Sequence, residues 1–161
     1  LAAHPDVPVV VDPVLTSARG DALADDNLVA ALRADLLPRA TVATPNSVEA
    51  RRLAGREALE DCAPALLDMG CRHVLVTGTH EDTFEVVNTL YARDGAPTAE
   101  RWPRLPGSYH GSGCTLASAL AAALARGLDV AAASHDAQAY TWKALKDGFR
   151  PGLGQFLPGR A

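Results

Sequence analysis

Apolar residues along this chain fall into two kinds of stretch. One kind is short and unbroken. VPVVVDPVL (residues 7–15), TVAT (41–44) and HVLVTGT (73–79) are β-branched, bounded by turn formers, and predict strands buried on both faces. The other kind recurs at helical spacing. Leu28, Ala31, Leu32 and Leu36 predict a helix capped by Asp25 or Asp26 and stopped after about Leu37 by Pro38. Pro45 and Asn46 turn the chain, Ser47 can cap a helix carrying Glu49 to Leu53, and Gly55 ends it. Residues 57–69 read as an amphipathic helix closed by Gly70. Residues 84–93, with Asp94-Gly95 after them, read as a hairpin arm and its turn. Residues 96–110 are a polar, proline-broken connection. Ser112–Arg126 and 129–147 are two further helices, and the glycine- and proline-rich tail from Gly148 is loop. Strands alternating with helices in this way predict an α/β fold with a mostly parallel sheet.

Composition narrows the class. The 161 residues are one domain's worth of chain, and 48% hydrophobic with 21% charged residues excludes disorder and a coiled coil. The longest apolar run, Leu116–Ala125, is too short to span a bilayer, so no membrane partner is expected. A net charge of −4 argues against a nucleic-acid partner, which calls for a basic face. Three cysteines form neither a disulfide framework nor a metal motif. Cys62 and Cys71 read as buried structural thiols, and a reducing, cytoplasmic setting follows by default. The first strand arrives within ten residues of Leu1, and the only methionine is Met69. The chain therefore reads as part of a longer protein.

Ligands of open parallel sheets bind beyond the carboxyl ends of the strands. There the three apolar runs end in oxygen-bearing side chains: Asp12, then Thr44 with Pro45-Asn46, then Thr77 with Gly78. Glu49 falls in the first turn of the following helix. Capping is one reading of it; a magnesium site shared with Asp12 is the other, because that ion takes few protein carboxylates and keeps several waters. Gly111-Ser112-Gly113-Cys114-Thr115 opens the alanine-rich helix. Its glycines let backbone amides approach an anion, and a helix start favours negative charge. It is neither a Walker A loop nor a dinucleotide fingerprint, since no Gly-Lys-Ser/Thr follows and Leu116 stands where the third small residue belongs. A metal pair, neutral hydroxyls and an anion-binding turn are the parts that phosphoryl transfer uses. A cysteine nucleophile at Cys114 would need an orienting His/Asp set, and nothing marks a partner for His110.

VVVDPV (9–14), TPNSVEA (44–50), VLVTGTH (74–80), HGSGCT (110–115) and the tail FRPGLGQFLP (149–158) together resemble the ribokinase-like superfamily. More closely they are similar to the hydroxymethylpyrimidine/phosphomethylpyrimidine kinases of thiamine biosynthesis. The resemblance implies a three-layer fold in which residues 1–161 form the C-terminal part of a single kinase domain, without its N-terminal strands and most of the substrate pocket. It implies ATP-dependent phosphorylation of a hydroxymethylpyrimidine and its monophosphate, with ATP and Mg²⁺ as cofactors and a homodimer in the full-length form. By match, Gly111, Ser112 and Gly113 would form the anion hole and Cys114 would be the catalytic base. Thr44, Asn46 and Thr77 would lie near the nucleotide phosphates, and Asp12 and Glu49 would organise the metal. His80 and His110 match the pattern without an assigned step. Thr77 stands where many pyrimidine kinases carry lysine and is similar to the pyridoxal kinases instead. A pyridoxal kinase is therefore the alternative, and a non-catalytic fragment is another.

Overall fold

The computed structural model describes residues 3–16 and 23–160. Five strands form one sheet in sequence order: β1 (Val10–Val11), β2 (Val42–Ala43), β3 (His73–Thr77), β4 (Glu85–Ala92) and β5 (Thr98–Pro103). Five helices flank it: α1 (Asp26–Ala31), α2 (Ser47–Ala54), α3 (Leu59–Asp68), α4 (Ser112–Ala125) and α5 (Val130–Lys146). Successive residues of a strand point to opposite faces. Val11, Ala43, Val74 and Val76 enter a core with Leu53 of α2 and Leu66 of α3. Val10, Val42 and Leu75 enter a second core with Leu116 and Leu120 of α4 and Ala133 of α5. One sheet between two helical layers explains why the strands read as unbroken apolar runs.

The sheet is mixed, which corrects the mostly parallel expectation. β1, β2 and β3 run parallel, with Val10 opposite Val42 and Val42 opposite His73. β3–β4 and β4–β5 are antiparallel. The loop from Gly78 to Phe84 is too short for the crossover that a parallel neighbour requires. Residues 96–110 are not merely a connection, because Thr98–Pro103 pairs with β4 as an edge strand. An edge strand needs little apolar content, and here Trp102 is its one large buried-face residue.

Several boundaries also move. The first strand shrinks to two residues, flanked by Pro8 and Pro13, which have no N–H to donate. The helix expected to reach Leu37 ends as α1 at Ala31. A wide turn at Leu32–Leu36 and a 3₁₀ turn at Leu37–Arg39 follow it. That wide turn aims Arg33 at the carbonyls of Leu53 and Arg52, both 2.7 Å away, and so satisfies the C-terminus of α2. The helix expected at 57–69 spans Leu59–Asp68. The tail is more than loop. Phe156 pairs with Tyr109 and Leu157 with Phe149, which braces the segment entering α4.

Among the described residues, no helix is long and apolar enough to cross a membrane. Cys62 and Cys71 are buried and free, whereas Cys114 is exposed.

Candidate functional site

The parallel register places Asp12 and Thr44 side by side, each one residue past a paired position, Val11 and Ala43. Thr77 ends β3 on the same side of the sheet and bridges to Asn46. The Thr44 amide donates to the Val11 carbonyl at 2.9 Å, and the Thr77 amide donates to the Pro45 carbonyl at 3.0 Å. Thr44 is buried and its hydroxyl donates to the Val11 carbonyl at 3.5 Å.

Asn46, not Ser47, caps α2. Its Oδ1 accepts from the Glu49 amide at 2.9 Å, while Glu49 Oε2 accepts from the Asn46 amide at 3.0 Å. This is a capping box, and the Asn-x-x-Glu spacing that signals it is present in the sequence. Glu49 Oε1 also accepts from the Leu15 amide at 3.2 Å, fastening the segment after Asp12 to α2. Glu49 is therefore first an organiser of backbone.

The glycine turn faces the Asp12 carboxylate. Gly111 is left-handed at φ 82° and caps α4 without a side chain, leaving the first amides of the helix free for an anion. A Cβ on Gly113 would stand 3.7 and 3.9 Å from the Asp12 carboxylate oxygens. The fold thus brings Asp12 against the start of α4, from opposite ends of the chain. Cys114 comes next and lines an open cavity of about 430 Å³ between α4 and α5, with Tyr140, Arg126 and Arg160. Arg160 was not anticipated. Its Nη2 lies 3.1 Å from where a Cβ on Gly111 would be, so it sets a cation beside the turn. His80 and His110 are both exposed, and the His110 amide serves only to pair with the Phe156 carbonyl.

Two arginines fasten the loop after β3. Arg51 of α2 makes a bidentate pair with Glu81 at 2.7 and 3.0 Å. Those hydrogen bonds pull the Glu81 carboxyl down to about 2. Arg104 donates to the carbonyls of Thr79, Glu81 and Thr83 at 2.9–3.1 Å. Nothing in sequence pairs either arginine with this loop.

Burial pushes the Asp12 and Glu49 carboxyls up, and the Asp12 charge adds to the rise at Glu49. A carboxyl raised on folding makes its ionised form a liability to the fold at neutral pH and none below the unfolded value near 4. Asp12→Asn should therefore raise the denaturation midpoint at pH 7 and leave it unchanged at pH 3. A midpoint shift independent of pH would tie the effect to packing instead.

A carboxylate whose charge is disfavoured by its neighbour, as Glu49 is by Asp12, suits a divalent cation. Asp12 fits as the direct contact. Glu49, with both oxygens already accepting backbone amides, fits through water. Among the described residues no cluster of three or more His, Cys, Asp or Glu forms a self-sufficient metal cage.

Residues 1–158 match the family model for phosphomethylpyrimidine kinase. This chain belongs to the phosphomethylpyrimidine kinase family. It is 42% identical to a hydroxymethylpyrimidine/phosphomethylpyrimidine kinase of Streptomyces coelicolor, over 96% of this chain and 59% of the relative. The corresponding kinase of Synechococcus elongatus is 37% identical, over 92% of this chain and 59% of the relative. The chain thus spans under three fifths of the curated relatives it matches. Among solved structures, the pyridoxal kinase of Staphylococcus aureus in complex with ADP superposes at TM-score 0.86 and 30% identity, covering 95% of this chain and 58% of that one. A phosphomethylpyrimidine kinase of Clostridium difficile superposes at 0.72 and 28% identity, covering 88% and 58%. The fold of this family member is the three-layer, ribokinase-like α/β fold.

Proposed function

We propose that this chain carries the phosphoryl-transfer edge of an ATP-dependent kinase acting on a hydroxymethyl group of a flat nitrogen heterocycle, and forms the C-terminal part of that kinase's single domain. The observation that carries the reading is the Asp12 carboxylate set against Gly113 at the uncapped start of α4, with Cys114 as the next residue. The amides of Ser112, Gly113 and Cys114 would hold the transferred phosphoryl group, and Gly111 gives them their exposure. Cys114 would take the proton from the attacking hydroxyl. Thr44, Thr77 and the free Nδ2 of Asn46 would contact the nucleotide phosphates. Asp12, and Glu49 through water, would hold Mg²⁺, which supplies charge neutralisation when bound.

Two rings compete as substrate. The pyrimidine reading has the family model and the curated sequence relatives behind it. The pyridoxal reading is better supported by structure. Pyridoxal kinases of Staphylococcus aureus superpose at 0.84–0.86, above the pyrimidine kinase, and in sequence Thr77 stands where many pyrimidine kinases carry lysine. The deciding experiment offers ATP with either ring to the longest natural polypeptide containing residues 1–161. Pyridoxal phosphate as the sole product is the outcome favoured by structural likeness. A second phosphorylation, of pyrimidine monophosphate, restores the pyrimidine reading. Nucleotide binding without transfer to either ring makes the chain a binding module.

A further inference from the structure

A buried polar network runs through the layer between the antiparallel half of the sheet and α5, outside every role assigned above. Asn88 of β4 and Gln138 of α5 are its centre, 8% and 3% exposed. Asn88 Nδ2 donates to Gln138 Oε1 at 3.0 Å, and the Trp102 indole donates to the same oxygen at 3.1 Å. Gln138 Nε2 donates to Glu100 Oε1 and Ser134 Oγ, each at 3.2 Å. Glu100 Oε2 meets His135 Nδ1 at 3.0 Å on the surface. At the other end Asn88 Oδ1 accepts from the Gly78 amide at 3.1 Å. Gly78 directly follows Thr77.

Chemistry sets the direction of this chain of bonds. An indole N–H only donates and an ionised carboxylate only accepts. Trp102 therefore turns the Gln138 oxygen inward, and Glu100 draws its amide nitrogen the other way. Asn88 must then give its nitrogen to Gln138, which leaves its oxygen for Gly78. Each orientation follows from its neighbours. An apolar side chain at 88 would leave the Gly78 amide without its acceptor, and the Gln138 oxygen with the indole as its remaining donor, in a buried layer where unmet groups are expensive.

We propose that Asn88, oriented by Gln138 and Trp102, is a positioning residue for the Thr77–Gly78 end of β3, and that Trp102 is coupled to ligand binding there. The second half rests on the kinase reading; the first half does not. Asn88 holds the backbone immediately past Thr77, so it acts through that residue and touches no substrate. Its neighbour Val87 confines the same glycine from the strand side, with the carbonyl 2.3 Å from where a Cβ would stand. A fixed threonine hydroxyl loses less freedom when a phosphate arrives.

Two measurements test this. Hydrogen exchange should show the Gly78 amide opening at least tenfold faster in Asn88→Leu, with Val74 to Val76 in β3 unchanged. Trp102→Phe, which keeps ring packing and removes only the donor, should give an intermediate rate and serves where Asn88→Leu does not fold. Unchanged Gly78 exchange in Asn88→Leu, or in Trp102→Phe where that variant stands in, overturns the positioning role. So does acceleration spread evenly along β3. Separately, in a Trp142→Phe background, ADP with Mg²⁺ should shift Trp102 emission, and Asn88→Leu or Gln138→Leu should abolish the shift. ADP binding by calorimetry with silent Trp102 emission overturns the coupling alone. Absence of ADP binding overturns both the coupling and the kinase reading, while the exchange result stands by itself.

Discussion

Replacing Cys114 with alanine should lower phosphoryl transfer by about 10²–10⁴-fold, the usual worth of a positioned general base, and leave nucleotide affinity nearly unchanged. The thiol follows Gly113 in the first turn of α4 and opens into the cavity beside Arg160. The groups proposed to hold the phosphates are backbone amides, threonine hydroxyls and the Asn46 side chain, which alanine at 114 does not disturb. Cys114→Asp recovers part of the lost rate, because a carboxylate has similar reach and also accepts a proton. Steady-state turnover set beside an ADP titration separates the two effects. An alanine variant with near-normal turnover removes Cys114 from the chemistry and turns attention to Asp12 as the base.

The second large effect is on stability. Gly78→Ala places a methyl group 2.3 Å from the Val87 carbonyl oxygen and 3.2 Å from its carbon. Both are backbone atoms of β4, so no side chain can swing aside. The strand must shift, and the Gly78–Asn88 hydrogen bond shifts with it. Overpacking a tight site costs typically 1–3 kcal/mol, and a clash with backbone belongs at the upper end, about 3 kcal/mol or more. Urea denaturation followed by tryptophan fluorescence measures the loss. A penalty under about 1 kcal/mol would mean that β3 and β4 separate more readily than their register suggests.

The parts of the site that could be read in sequence are those whose placement follows from local grammar. Asp12, Thr44 and Thr77 each follow an apolar run, and parallel strands align such ends without knowledge of packing. Gly111 to Gly113 announce an anion turn because a helix pattern begins directly after them. The Asn46 cap was missed although Asn-x-x-Glu marks one, because Ser47 offers the same chemistry one residue later. β5 was hidden because an edge strand buries one face and Trp102 was enough to fill it. The tail's glycines and prolines masked the pairing of Phe156 and Leu157. Arg104 with the 79–83 carbonyls, and Asn88 with Gln138 fifty residues later, join segments whose neighbourhood exists only after folding. No spacing rule reaches across that distance. Asp12 against Gly113 belongs to the same class, and it is the contact on which the functional reading turns.

The mixed sheet has a kinetic consequence. β3, β4 and β5 are joined by short links and pair with their immediate successors in the chain, so they can form as a meander within microseconds. β1 and β2 must instead each close a loop of about thirty residues, through the α1 region and through α2–α3, before a two-residue ladder rewards the closure. The order of assembly is then the reverse of the order of synthesis. The antiparallel half forms early and presents β3 as a template. β2 and β1 dock afterwards, each only once its long connection has closed. Stopped-flow refolding should show Trp102 reaching its buried signal ahead of the protection of Val10 and Val11. Asp12 and Thr44, at the ends of β1 and β2, therefore join the site after Thr77 is already in place.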